Sequence, residues 1–411
     1  MERRRVVVTG LGTVNPLGNN VEESFENLKN GKCGIDFITQ FDTTDFKVKI
    51  AAEAKGFNPE EFLDKKDIRK MARFTQMAVV SAIEAWNDAG FDENIDTDDI
   101  GVIIASGVGG LPNIEEENEK GLNKGFSKVS PYFVPAGISN MAAARVAIQF
   151  GLHGMCSCPV TACAGGTNAV GDAFHRIRDG YESVMLCGGA ESAVSRLGIA
   201  GFSALMALST NPDPNLACLP FDSRRSGFVM GEGAGVLVLE EYEHAVKRGA
   251  KIYAEIVGYG SNCDAYHYTA PDPDGIGAAK CMELAIKDAS IKKEDIDYIN
   301  AHGTGTKLND LSETKAIHKL FGEHASRLLV SSTKSMTGHM LGAAGGVEAL
   351  FTVLSINNGF IPATIGLNEA DPECDLDYVP NKGREMNIKY AMSNSLGFGG
   401  HNASIVFKKF E

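Results

Sequence analysis

Residues 6–12 read VVVTGLG, and residues 254–260 read AEIVGYG. Each is a β-rich apolar run closing on Gly-x-Gly. Three further pairs follow in the same order. IGVIIASGVGG (100–110) resembles IDYINAHGTGT (296–306), which sets Ser106 against His302 and Gly107 against Gly303. VTACAGG (160–166) resembles MTGHMLG (336–342), which sets Cys163 against His339. GEGAGVLVLE (231–240) resembles GFGGHNASIV (397–406). The period far exceeds that of solenoid repeats, so the pattern reads as a duplicated domain. Two halves of one topology are expected, residues 1–250 and 251–411, with a boundary near Gly249.

Between these segments, strand-like runs alternate with helical patterns. Residues 6–9, 102–105, 184–187 and 236–239 read as strands. Residues 67–90 carry apolar positions at i, i+3/i+4 spacing, with Gly90 placed as a C-cap. Such alternation predicts an α/β architecture with buried strands. The chain has 411 residues, of which 44% are hydrophobic and 46 are glycine. That length holds about two or three domains' worth of core. The glycine share exceeds the usual ~7% and implies many tight turns.

The net charge is −14, which disfavours general nucleic-acid binding. MERRRVVVTGLG is too short in apolar residues for a signal peptide, and no stretch approaches a membrane span. Nine cysteines with no CxxC pair read as reduced thiols of a cytoplasmic protein. No GxGxxG follows a strand, and there is no GxxxxGK[ST] or HExxH.

Three cysteines lie within residues 156–163. Their spacing does not fit zinc, and no metal site is expected. Cys156 and Cys158 read as small hydrophobes of a buried strand. Cys163 stands where a strand ends and a helix begins, in ACAGGTNAVGDAFHRIRDG. The helix dipole and the free N–H groups of the first turn favour a thiolate there and can hold an oxyanion. A buried structural cysteine is the alternative at that position. The duplication favours chemistry, because the second half brings His302 and His339 in glycine-rich turns, where sites concentrate. His401 also lies in a glycine loop, but the repeat does not pair it with the cysteine.

VVVTGLGTVNPLG, VTACAGG, FDSRRSGFVMGEGAG, NAHGTGTKLND, STKSMTGHMLGAAGG and SNSLGFGGHN together resemble the β-ketoacyl-acyl carrier protein synthases of the thiolase superfamily. The likeness is strongest to the synthase II type of bacterial fatty-acid synthesis. It spans residues 6–402. The resemblance implies a thiolase-like fold: two βαβαβαββ halves in five α-β-α-β-α layers, assembled as a homodimer. It implies a decarboxylative condensation of malonyl-ACP with an acyl chain carried on Cys163. His302 and His339 would face the malonyl thioester, and Lys334 would pair with Glu348. Phe398 would gate the site and share the oxyanion hole with Cys163. Thr304 and Thr306 would hold the phosphopantetheine arm, which the carrier protein supplies; no other cofactor is implied. Val108, Phe133, Gly198 and Phe202 match acyl-pocket positions.

Acyl carrier protein is the expected partner, with no nucleic acid and no membrane. A basic patch of Lys65, Lys66, Arg69 and Lys70, with Lys124 and Lys128 nearby, is its candidate dock; a solvated helix face is the plain alternative. Gly305, Lys307 and Val108 depart from common family residues, the last widening the pocket by about one methylene. A polyketide-type ketosynthase and a non-catalytic chain-length-factor-like partner are the competing readings. A thiolase is disfavoured because GFGGHN lacks a second cysteine.

Overall fold

A computed structural model describes residues 3–92 and 95–411. Ten strands form its main sheet: β1 (Val6–Val14), β2 (Ile100–Ala105), β3 (Cys156–Ser157), β4 (Val184–Ser192), β5 (Glu232–Glu241), β6 (Ala254–Cys263), β7 (Tyr298–Asn300), β8 (Leu329–Ser331), β9 (Tyr390–Gly397) and β10 (His401–Lys409). Their spatial order is 8-7-9-10-6-1-5-4-2-3. From the centre outward, one half runs 1-5-4-2-3 and the other 6-10-9-7-8. The second order is the first with five added to each number. Strand directions repeat as well: β2 lies parallel to β3 and β4, and β7 parallel to β8 and β9. The halves join where β1 meets β6 antiparallel, Val6 opposite Ile256 and Val8 opposite Ala254.

Five helices build the layers: α1 (Arg73–Ala89), α2 (Gly165–Arg178), α3 (Ile276–Ala289), α4 (Lys307–Phe321) and α5 (Ala344–Asn358). Alternate strand residues feed different cores, as the two-residue pleat requires. Ile103, Met185, Leu237 and Leu239 face a central core shared with Ala169, Val170, Leu350 and Phe351 of α2 and α5. Val102, Leu186, Val236 and Val238 face an outer core with α1. In the other half Phe407 and Ala391 turn inward, and Val406 and Met392 turn out to α3 and α4. The result is α-β-α-β-α, with α2 and α5 buried between strands on both sides. Helix α5 is buried from Ala344 through Ile356, which explains its lack of a polar stripe.

The glycine pairs that opened the sequence reading have one structural cause. A Cβ on Gly10 would lie 2.2 Å from Ala85 O, and on Gly258 2.3 Å from Ala285 O. On Gly12 it would meet Ser81 O at 1.9 Å, and on Gly260 Cys281 O at 2.2 Å. Helices α1 and α3 thus seat on matching strands through matching glycines.

Three expectations are corrected. The helix expected over 67–90 is broken: Lys65–Ile68 forms one turn, and α1 starts at Arg73. Its end is as read, with Gly90 at φ 65 as a left-handed cap. Cys156 is exposed, because β3 is a two-residue strand at the sheet edge. The third concerns register. Cys163 lies in a 3₁₀ turn, Ala162–Ala164, that leads into α2; Leu341–Ala343 leads into α5 in the same way. Ala162 has φ 50 and Leu341 φ 46, both left-handed. The mate of Cys163 is therefore Gly342, three residues beyond His339. The last pair also slips, by two. Gly10 opposes Val238 and Gly258 opposes Val406, so Val238 mates with Val406.

Candidate active site

The turn that carries Cys163 is strained by Ala162 in the left-handed region, a conformation a non-glycine residue holds only where its surroundings over-determine it. Gly397, the last residue of β9, packs directly on it: a Cβ there would lie 3.2 Å from Cys163 N and 3.1 Å from Ala164 N. This brings the next residue, Phe398, over the thiol. The N–H groups of Phe398 and of Cys163 itself both point at the sulfur. Burial pushes the Cys163 thiol up to about 12, against the lowering effects of Lys334 and the Phe398 N–H. The thiolate expected from the helix start alone is thus not the resting form of this buried thiol, where desolvation outweighs the dipole.

His302 and His339 reach the same cavity from different elements. His302 follows β7, and its N–H donates to Glu313 Oε1 at 2.9 Å, with Gly303 N–H on Oε2 at 2.8 Å. His339 is held as a short bridge: its N–H donates to Val229 O at 2.7 Å, and its carbonyl accepts from Gly231 N at 2.9 Å. The two imidazoles meet edge to face with centroids 5.2 Å apart and planes at 85°. Each Nδ1 is sealed without a partner among the described residues, which leaves the Nε2 edges to the cavity. Burial, followed by the charge of Lys334, holds both histidines well below the usual imidazole range. Both are neutral at pH 7.

Lys334 and Glu348 form a fully buried ion pair behind the histidines. Burial pushes the Glu348 carboxyl up to about 7, against the pull of Lys334. Four aromatic rings extend the wall: Phe398 to Phe202 at 6.2 Å, Phe202 to Phe228 at 5.6 Å, and Phe228 to His339 at 5.2 Å. Thr304 and Thr306 line the mouth, their hydroxyls 2.9 Å apart. The cavity so enclosed measures about 370 Å³.

Cys163, His302, His339, Phe398, Thr304, Thr306 and Phe202 thus share one cavity, with Lys334 and Glu348 behind it. Of the four acyl-pocket positions only Phe202 lines it. Gly198 is buried, Phe133 half-buried, and Val108 exposed. The basic patch is partly neutralised: Lys65 pairs with Glu60 at 3.0 Å and Lys70 with Asp67 at 2.9 Å. Lys66, Arg69, Lys124 and Lys128 form no ion pair among the described residues. Sequence reading missed Phe228, Glu313 and Glu191. Phe228 was visible inside FDSRRSGFVMGEGAG; nothing in a lone glutamate marked the other two.

The sequence matches "Beta-ketoacyl synthase, N-terminal domain" over residues 3–245 and "Beta-ketoacyl synthase, C-terminal domain" over 253–368. The chain belongs to the β-ketoacyl synthase family. This synthase is 53% identical to the 3-oxoacyl-[acyl-carrier-protein] synthase 2 of Staphylococcus aureus, with 100% of this chain and 99% of that protein covered. It is 50% identical to the enzyme of the same name from Synechocystis, over 100% and 99% of the two chains. Among solved structures it resembles a type II PKS ketosynthase, determined with its acyl-carrier protein and bound to the hexaketide. The TM-score is 0.93 at 37% identity, with 100% of both chains covered.

Proposed function

We propose that this synthase carries out the elongating condensation of fatty-acid synthesis: acyl-ACP and malonyl-ACP give, through an acyl chain carried on Cys163, β-ketoacyl-ACP, CO₂ and free ACP. The observation that carries this reading is the convergence of Cys163, two neutral histidines and two N–H donors on one cavity.

In the first half-reaction the Cys163 sulfur attacks the acyl thioester carbonyl. The S–C bond to cysteine forms, and the pantetheine sulfur leaves with the proton. A thiol suits this exchange because it is both nucleophile and leaving group. The Cys163 and Phe398 N–H groups receive the oxyanion. With a resting thiol near 12, the proton must leave as the attack proceeds. That proton ends on the leaving pantetheine sulfur.

In the second half-reaction malonyl loses CO₂, and charge develops on the thioester oxygen. Two Nε2–H donors facing that oxygen stabilise the transition state more than the ground state. The carbanion then attacks the acyl-cysteine carbonyl, and the cysteine sulfur leaves and takes up one proton from solvent to restore the thiol. Lys334 acts from behind: after burial, its charge is the next cause that keeps both imidazoles unprotonated, and Glu348 compensates it. Thr304 and Thr306 hold the phosphopantetheine arm at the mouth.

The partner is acyl carrier protein, docked through the free cations Lys66, Arg69 and Lys128 with Lys65 and Lys70 in support. Two copies of the chain assemble as a homodimer. Leu122, Phe126, Val134, Val160 and Leu197 are all more than half exposed in the single chain, an apolar surface that a second copy would cover. An acyl pocket that includes Val108 and Phe133 would be completed by that second copy. The chain divides near residue 250 into the two duplicated halves.

Intact mass after incubation with short, medium and long acyl-ACPs, followed by peptide mapping, tests the reading. An acyl adduct on Cys163 is the expected result. Folded protein that takes no acyl group from any of them overturns it.

A further inference from the structure

The corrected register exposes a site with no counterpart in the chemistry above. Leu237 lies opposite both Leu11 and Cys187, and Ile405 opposite both Tyr259 and Ser393. Leu11 and Tyr259 are mates, so Cys187 mates with Ser393, and Glu191 with Gly397. Gly397 packs on the turn of Cys163, whose N–H faces the cavity. Across the duplication, Glu191 packs on the turn of Gly342, the mate of Cys163. There the space is filled. Glu191 Oε2 accepts from Gly342 N at 3.0 Å and Gly107 N at 2.7 Å; Oε1 accepts from Ser106 Oγ at 3.0 Å and Val108 N at 3.3 Å.

All four contacts are donors, and no cation pairs with this wholly buried carboxylate among the described residues. The Ser106 hydroxyl is itself oriented, since it accepts from Gly109 N at 3.1 Å. Such a set matches an anion, because a protonated carboxyl would have nothing to donate to. Burial pulls the carboxyl upward and the four donors oppose it. The cradle is also shaped around it: a Cβ on Gly107 or on Gly342 would come 2.8 Å from Glu191 Oε2.

We propose that Glu191 is a positioning residue, an internal carboxylate that permanently occupies the Gly342 N–H, the duplicate of the Cys163 N–H, and locks the turn 106–109 to the turn that follows His339. The duplication created two N–H cradles. One stays open to the thioester; the other is plugged by the protein. As a positioning residue for condensation, Glu191 rests on the function proposed above, whereas its occupancy of the cradle does not.

Two variants test it. Glu191→Gln keeps the volume but turns one acceptor into a donor facing N–H groups. We expect malonyl-ACP decarboxylation to lose about tenfold in kcat with KM little moved, and the acyl-chain profile at Cys163 to shift. Glu191→Ala empties the cradle. Sodium formate should raise its melting temperature and part of its activity above a sodium chloride control, and leave wild type unmoved. A folded Gln variant with wild-type kcat and acyl profile overturns the proposal. So does an Ala variant whose melting temperature ignores formate. Wild-type protein that takes no acyl group would sink the functional reading alone, since the formate effect on melting would still decide the cradle.

Discussion

At the scale of single residues, the site works by placing groups whose charge is set by burial. Cys163→Ala removes the proposed nucleophile and little volume, so condensation should vanish while the melting temperature stays within a few degrees of wild type; retained turnover would refute the assignment. Cys163→Gln should keep malonyl decarboxylation, because that step needs the histidines and no acyl transfer; a product assay for CO₂ reads it directly. Lys334→Ala leaves Glu348 buried without a partner. It should cost about 3–5 kcal/mol in denaturant unfolding. Pairing it with Glu348→Gln should recover part of that loss.

At the scale of elements, function depends on how closely backbones approach. Gly397→Ala would drive a Cβ to 2.8 Å from Thr161 O and lift Phe398 off the thiol. Acyl transfer should fall steeply with only a small change in melting temperature, which separates a displaced loop from a damaged core. The α1 seat carries its own pH signature. Glu84 accepts the N–H groups of Thr13 and Val21, and burial, the dominant cause, pushes its carboxyl up to about 7. A folded pKa above the unfolded value near 4.3 means the native state binds more protons between those pH values. Stability should therefore be greatest below about pH 4.5 as far as this group is concerned, and decline as pH rises to about 7. Thermal melts of Glu84→Gln should show a flatter pH dependence over that window; an unchanged slope would place the effect elsewhere.

At the scale of the whole molecule, the duplication explains why the site lies between α2 and α5. The two turns that begin these helices abut through Gly166, Gly345 and Gly346; a Cβ on Gly166 would lie only 2.5 Å from Gly346 N. Charge reversal of Lys66 and Arg69 should raise KM for acyl-ACP and leave a pantetheine thioester unaffected; equal effects on both substrates would count against docking at this patch. Light scattering should find a dimer, and a Leu122→Glu and Phe126→Glu double variant should shift it toward monomer.

How much was legible before folding follows from these particulars. The paired Gly-x-Gly strands, the turn at Cys163 and the two histidine turns were readable, because backbone approach and φ > 0 demand glycine at fixed places and leave a mark in sequence. The family likeness pointed to Cys163, His302, His339 and Phe398, which share the cavity, for the same reason. The register of the duplication was not readable. Gly and Ala align equally well three residues apart, and only the matched left-handed turns at Ala162 and Leu341 show that Cys163 mates with Gly342. Nor was the protonation of the site: the helix start argued for thiolate, but desolvation by the whole fold raised the thiol to about 12. Glu191 and Glu313 were invisible for a like reason. Their partners are backbone N–H groups far along the chain, which carry no side-chain signature. The duplication, the class of fold and the candidate chemistry were written in the order of residues, since those rest on local backbone needs. Burial, and with it charge, came only with the packed fold, because solvent exclusion belongs to no single segment.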